Sequence, residues 1–162
     1  MKHTGAIKEN RDTAHEDLHK MKILSMVERE GDKRSFHVPN VKAETVVPIL
    51  KENIDKNSRV MTDEAKIYKK LHRDFRSHES VNHSAKEYAR GDVTTNTIES
   101  SFAVLKRGLY GTFHQVSEKH LHRYLQEFDF RWNHRFVTDH QRMKKALKGI
   151  AGKKLSYWEL KS

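Results

Sequence analysis

Two strand-like segments joined by a turn are the feature that most constrains the fold of this chain. Residues 22–29 form a short apolar run rich in strand formers, and residues 34–39 alternate polar with apolar side chains. The intervening Glu-Gly-Asp-Lys at 30–33 is typical of a tight turn, so the pair is predicted to be a β-hairpin. A hairpin pairs its strands antiparallel, so at least part of the sheet must be antiparallel.

Helical and strand-like patterns follow the hairpin. In chain order, the sequence predicts a helix over 43–53, a strand over 58–62, a helix over 64–71, a short strand around 80–81, a polar loop over 86–95, and helices over 96–107, 117–135 and 139–147. Residues 1–20 carry many charges and no sustained apolar period, so we expect a flexible charged arm there and one domain over 21–162. This order of elements predicts an α/β or α+β fold, of which we take α/β, with a mixed sheet and helices concentrated in the C-terminal half.

The charge balance limits the classes of partner. The 162 residues include 32 Lys and Arg against 22 Asp and Glu, which gives a net charge of +10. Nucleic acid, an acidic membrane surface and plain solubility are all consistent with such a charge. The chain has no cysteine, which excludes disulfides, thiolate nucleophiles and cysteine-type zinc sites. No apolar stretch approaches the roughly 20 residues of a membrane span, so we expect a cytoplasmic protein with no membrane segment.

Two acidic residues and a lysine are the candidates for chemistry. Asp63 comes at the C-terminal end of a predicted strand, where open α/β sheets place their ligands. Glu99 lies in a predicted helix, and Lys106 follows it by seven residues, so both share one helix face. Carboxylates that converge suit Mg²⁺ or Mn²⁺, and a nearby lysine can hold a phosphate. The alternatives are a helix-capping role for Asp63 and a solvated helix face for Glu99 and Lys106.

Five motifs occur together and in order. They are Thr-Asp-Glu-Ala at 62–65, His-Ser-Ala-Lys-Glu-Tyr at 83–88, Thr-Asn-Thr-Ile-Glu-Ser at 95–100, Leu-Lys-Arg-Gly at 105–108 and His-Leu-His-Arg-Tyr-Leu at 120–125. The set resembles the catalytic domain of the ISXO-like insertion-sequence transposases, a DDE-type group with an RNase H-like fold, over about residues 20–160.

The resemblance implies a role for each candidate residue. Asp63 and Glu99 would be the second and third acids of a metal-binding triad, and Lys106 the basic residue two turns after the third acid. The resemblance also implies Mg²⁺- or Mn²⁺-dependent cleavage and strand transfer at transposon-end DNA. A homo-oligomer acting on paired DNA ends, at the bacterial nucleoid, is expected on the same ground.

The front of the chain departs from that family pattern. Family members carry the first catalytic Asp on the first strand of the sheet, in an Asp-Glu-x-Tyr-like segment, and no such segment precedes the hairpin here. Asp12 and Asp17 lie near this place, but neither has a strand-like apolar context. We therefore expect a sheet without its first strand and an impaired activity. A non-catalytic remnant that binds DNA or a partner, and a generic single-metal nuclease, are the alternatives.

Histidines and basic side chains supply candidate DNA contacts. The histidines cluster over 72–83 and 114–122, where zinc ligation and phosphate-facing surface groups are alternatives. The aromatic stripe of Tyr124, Phe128 and Trp132 has helical spacing and is predicted to belong to the core. The candidate DNA-binding residues are His83, Asn96, Arg107, His122 and Arg123.

Overall fold

The computed structural model describes residues 4–9, 21–87, 89–114 and 116–153, the first of these segments by its backbone. The strands in these ranges are β1 (Thr4–Glu9), β2 (Lys22–Glu28), β3 (Lys33–Val38), β4 (Arg59–Thr62), β5 (Ser77–Ser80), β6 (Ala89–Arg90) and β7 (Val93–Thr94). The α-helices are α1 (Ala43–Asn53), α2 (Asn96–Gly108), α3 (Leu121–Asn133) and α4 (Asp139–Ile150). Among the described residues, no helix is both long and apolar enough to cross a bilayer.

The main sheet has five strands in the order β3-β2-β1-β4-β5. The strands β1, β2 and β3 pair antiparallel in succession, which confirms the predicted hairpin. The strands β4 and β5 run parallel to β1, so β1, β4 and β5 end at the same edge of the sheet. A mixed sheet of this kind confirms the α/β class.

The strand β1 corrects the expectation for the N-terminal residues. Its backbone pairs with β2 on one side and with β4 on the other, so the prediction of a sheet without its first strand is wrong. The predicted arm over 1–20 is wrong for Thr4–Glu9, and residues 10–20 lie outside the described residues. Only Ala6 and Ile7 of this segment are apolar, so the sequence alone gave no strand pattern. Hydrogen bonding to two neighbours, rather than local propensity, makes these residues a strand.

Helices cover both faces of the sheet. On β2, Leu24 and Met26 pack in a core cluster with α1, while Ile23 and Val27 pack in a second cluster with α2 and α3. Successive side chains of a strand point to opposite faces, so these pairs show that β2 is buried on both sides. Tyr124, Phe128 and Trp132 pack against the second cluster, which confirms the predicted role of the aromatic stripe.

The segment after β4 is not the predicted α-helix. Residues 64–71 contain a 3₁₀ turn at Lys66–Tyr68, and another follows at Leu71–Arg73. Tyr68 and Leu71 are both buried and lie three residues apart, a spacing that fits three residues per turn as well as it fits an α-helix. The predicted loop over 86–95 likewise holds the two short strands β6 and β7.

A polar seam joins α3 to β3, which is an edge strand of the sheet. Asn133 accepts from the backbone N–H of Lys33 at 2.7 Å and donates to its carbonyl at 3.0 Å. Asp129 accepts from the N–H of Ser35 at 2.6 Å and from its hydroxyl at 2.8 Å. The Lys33 ammonium, 2% exposed, lies 3.4 Å from the Asp129 carboxylate. Burial lowers the pKa of Lys33 and raises the pKa of Asp129, and their mutual attraction opposes both shifts. The backbone N–H groups of Lys33 and Ser35 and the carbonyl of Lys33 thus have partners on α3, so they are not available to pair with another strand.

Close contact between α2 and α3 depends on a glycine. Gly108 is the last residue of α2, and a Cβ at this position would overlap the ring of Phe128 on α3. The glycine backbone is helical, with φ −68°, so steric room rather than conformational freedom requires it.

We expect Gly108→Ala to lower the free energy of unfolding by about 1–3 kcal/mol, because the added methyl must displace the Phe128 ring. Gly149→Ala is the matched control, since α4 leaves open space around Gly149 and a helical alanine is favoured over glycine. Urea unfolding followed by circular dichroism measures both. Equal stability of the Gly108→Ala variant and the wild type would contradict the close-contact argument.

Asp129→Asn should cost about 3–5 kcal/mol, because it keeps an acceptor for Ser35 but leaves the buried Lys33 charge without its counter-ion. The double variant Lys33→Met/Asp129→Asn removes both charges and should regain most of that loss. The same urea titration compares the two. A double variant no more stable than Asp129→Asn would show that the charge pair is not what matters in the seam.

Candidate active site

Asp63 follows the last residue of β4, at the edge where the parallel strands end. It is half-buried, and its Oδ1 accepts from the backbone N–H of Ala65 at 3.1 Å. Asp63 therefore caps a turn and not an α-helix, because the residues that follow form 3₁₀ turns. A carboxylate held in this way has a fixed position relative to the sheet.

Glu99 lies in the first turn of α2 and faces a histidine. Its Oε1 accepts from the hydroxyl of Thr95 at 2.7 Å and lies 3.2 Å from Nε2 of His83. The ring nitrogen of His83 is also 3.1 Å from the Thr95 hydroxyl. Both side chains are partly exposed, at 22% for His83 and 32% for Glu99. The structure therefore brings the predicted third acid, Glu99, together with His83, one of the candidate DNA-binding residues.

Glu64 ties the turn that carries His83 to the end of β4. Its carboxylate accepts from the backbone N–H of His83 at 2.9 Å, from the N–H of Ser84 at 3.2 Å and from the Ser84 hydroxyl at 2.8 Å. The Ser84 hydroxyl, followed by the His83 N–H, lowers the pKa of Glu64 to about 2. Hydrogen bonds of this kind stabilise the charged carboxylate.

These contacts form one connection, which we call the bridge: Glu64, the 3₁₀ turn at His83–Ala85, and Glu99. It joins the residue next to Asp63 with the first turn of α2. The sequence motifs contain Glu64, Ser84 and Thr95 but assign them no role, and the partners of Glu64 lie 19 and 20 residues further along the chain. Local contacts include that of Asn82, whose side chain accepts from the N–H of Ala85 and begins the turn, and that of Thr95 with Glu99 four residues later.

The histidines of the 72–83 stretch have separate partners. His78 Nε2 lies 2.9 Å from the Thr62 hydroxyl beneath Asp63, and burial lowers the pKa of this histidine. His72 Nδ1 lies 2.8 Å from the carbonyl of Lys69. Across the described ranges, no group of three or more His, Cys, Asp and Glu is placed to hold a metal ion. Asp12 and Asp17 lie outside those ranges.

The remaining candidates lie on α2 and α3. Asn96 is exposed at the start of α2, and its N–H donates to Thr94 Oγ1 at 3.1 Å. Lys106 is half-buried and Arg107 exposed in the last turn of α2. His122 is exposed and Arg123 half-buried on α3. The two helices pack together over one face of the sheet, so these side chains belong to one side of the domain.

One family model and one curated protein are similar to this chain. A family model described as the ISXO2-like transposase domain matches residues 2–133. A Haemophilus influenzae protein described as an uncharacterized transposase-like protein is 33% identical over 96 residues. That alignment covers 59% of this chain and 76% of the Haemophilus protein. The family match includes β1, the bridge and both candidate acids.

Ser84→Ala should raise the pKa of Glu64 from about 2 toward its ordinary 4.5, because the Ser84 hydroxyl is the largest cause of the shift. The bridge contributes stability fully above the unfolded value, and this contribution is lost as the pH falls toward 2. Carbon-detected NMR titration of the side-chain carboxyls measures the change. Glu79 is the internal control, since Arg59 lowers its pKa and Ser84 plays no part. An unchanged Glu64 titration in the variant would contradict the described contacts.

Proposed function

The chain belongs to the ISXO2-like transposase family, and from this membership we propose that it cleaves and joins phosphodiesters at transposon ends with Asp63 and Glu99 as metal ligands. Transposases act on DNA, and DNA is a polyanion that would bind a chain with 32 basic and 22 acidic residues. We further propose an RNase H-like domain, which the strand order β3-β2-β1-β4-β5 supports. Action as a homo-oligomer on paired ends, at the nucleoid in the bacterial cytoplasm, completes the proposal.

The bridge is the observation that carries this proposal. It connects the loop that bears Asp63 with the helix turn that bears Glu99, through Glu64 and His83. Besides contributing stability, the connection fixes the place of the loop that bears Asp63 relative to Glu99. Because the bridge fixes two elements that are separate in sequence, it supports a shared site at the C-terminal edge of β4.

The donor chemistry fits a hard divalent cation. Asp63 and Glu99 offer carboxylate oxygens, the ligands that Mg²⁺ and Mn²⁺ prefer. When bound, such an ion would assist attack on the phosphodiester and stabilise the leaving oxygen. Lys106, on the same helix face as Glu99, is proposed to hold a phosphate of the DNA. His83 is proposed to orient the Glu99 carboxylate through its 3.2 Å contact.

Two observations favour the non-catalytic alternative, a remnant that binds DNA or a partner. The two acids are not joined by a third ligand among the described residues. The strand β1, which lies beside β4, contains no aspartate. Two carboxylates hold a metal ion less firmly than three, so we propose that the activity of this chain alone is impaired.

Asp63→Asn and Glu99→Gln should each reduce Mg²⁺-dependent nicking at least about 100-fold, because each removes a charge from the proposed metal site without removing the hydrogen-bond acceptor. The substrate is a supercoiled plasmid that carries the DNA flanking this reading frame, with EDTA as the metal-free control. DNA binding in EDTA should stay unchanged in both variants.

Matched controls are available for both substitutions. Asp55 accepts from the backbone N–H of Asn57 at 2.7 Å, as Asp63 does from Ala65, and Glu44 lies in the first turn of α1, as Glu99 does in α2. Asp55→Asn and Glu44→Gln should retain activity. Nicking that survives in Asp63→Asn would contradict the proposal. A wild type that binds but does not nick supports the non-catalytic alternative, and nicking regardless of the flanking DNA supports a single-metal nuclease.

A further inference from the structure

The segment after Asp63 carries five exposed basic side chains, which we call the basic ridge: Lys66, Lys69, Lys70, Arg73 and Arg76. We propose that the basic ridge is a second DNA-backbone contact, separate from the candidate residues on α2 and α3, that holds the duplex beside the reacting phosphodiester. This inference rests on the proposed function, because it takes DNA as the partner and Asp63 as the neighbouring site.

The fold leaves the side chains of all five cations exposed. Tyr68, Leu71 and Phe75 are buried in the core cluster beneath α1 and fix the opposite side of the segment. The cations form two series at three-residue intervals, 66 to 69 and 70 through 73 to 76, and each series includes one end of a 3₁₀ turn, Lys66–Tyr68 or Leu71–Arg73. The buried residues thus act as anchors that hold the cations out toward solvent.

The five cations of the basic ridge have no acidic partners among the described residues. In the described part of the chain, Arg29 and Arg59 pair with Asp92, and Arg131 and Arg142 pair with acids on their own helices. No ion pair within that part involves any of the five ridge cations. Asp74 lies inside the segment, but its carboxylate pairs with Lys51 at 2.6 Å and does not neutralise the ridge.

Unpaired cations in such close succession repel one another, and a polyanion relieves that repulsion. Charges within about 8 Å interact at physiological ionic strength, a range that covers neighbours along these turns. Duplex DNA carries a charge about every 1.7 Å of its axis and gains affinity when its counter-ions are released. A polyanion of regular charge spacing therefore matches the basic ridge better than a single anion does.

The position of the basic ridge gives this contact a role. It begins three residues after Asp63, on the side of the sheet that packs with α1. Lys106, Arg107, His122 and Arg123 lie on the helices that cover the other side. The Asp63 edge therefore has the first ridge lysines on one side and these helices on the other, whereas Arg76, at the far end of the ridge, lies beside the start of β4. A duplex that crosses the Asp63 edge would reach the first ridge lysines and the helices.

The test compares two triple variants that lose the same charge. The ridge variant is Lys66→Gln/Lys69→Gln/Lys70→Gln, and the control is Lys144→Gln/Lys145→Gln/Lys148→Gln, three exposed lysines of α4. Fluorescence anisotropy with a 30-base-pair duplex of random sequence, in EDTA and from 50 to 200 mM KCl, gives affinity and salt slope. The ridge variant should bind at least about 10-fold more weakly, with a slope of log K against log salt reduced by about 2–3. The control should change affinity by less than about 3-fold.

Two outcomes would overturn the proposal that the basic ridge is a DNA contact. Equal losses in the two variants would mean that only net charge counts, which overturns the ridge as a site. An unchanged ridge variant would make the segment a solvated face, which also overturns it. Binding in EDTA needs no cleavage, so the result stands apart from the nicking test of the proposed function. Thermal unfolding checks that both variants remain folded, as exposed substitutions should.

Discussion

The polar seam between α3 and the edge strand β3 is the contact on which the arrangement of this domain depends. Asp129 and Asn133 hydrogen-bond the backbone of Ser35 and Lys33, so a helix takes the place that another strand could occupy. The buried charges of Lys33 and Asp129 make that placement specific, because neither charge is tolerable there without the other. A helix attached only by apolar contacts could slide along the sheet, whereas paired backbone groups fix its register.

The position of the candidate site follows from this attachment. With α3 fixed, Leu121 and Leu125 form one side of the cluster into which α2 packs through Ile98, Phe102 and Leu105. That packing sets the direction of the first turn of α2 and so the place of Glu99. The bridge then connects Glu99 to the end of β4, where Asp63 is set by the parallel pairing with β1 and β5. The two acids are therefore positioned from opposite directions, one by helix packing and the other by the sheet.

Local patterns in the sequence predicted the elements that local physics determines. The hairpin, the helix Ala43–Asn53 and the helix Asn96–Gly108 have clear apolar periods or turn residues, and the structure has them close to the expected bounds. The strand Thr4–Glu9 has almost no apolar pattern and forms because β2 and β4 offer hydrogen bonds on both sides, information that is not local. At the site, motif order indicated Asp63, Glu99 and His83. The role of Glu64 could not be predicted, because its partners His83 and Ser84 lie 19 and 20 residues further along the chain.

DNA binding and DNA chemistry place different demands on these residues. Affinity for a duplex is the sum of many screened contacts, so the two proposed basic surfaces would hold DNA even when no single side chain is essential. Metal-dependent cleavage needs all of its carboxylates at one point, since each missing ligand weakens the hold on the ion and the charge stabilisation it gives. Binding is therefore common to the catalytic and the non-catalytic alternatives and does not separate them. What separates them is whether Asp63 and Glu99, which the bridge holds in place, suffice for chemistry at an edge where β1 supplies no aspartate.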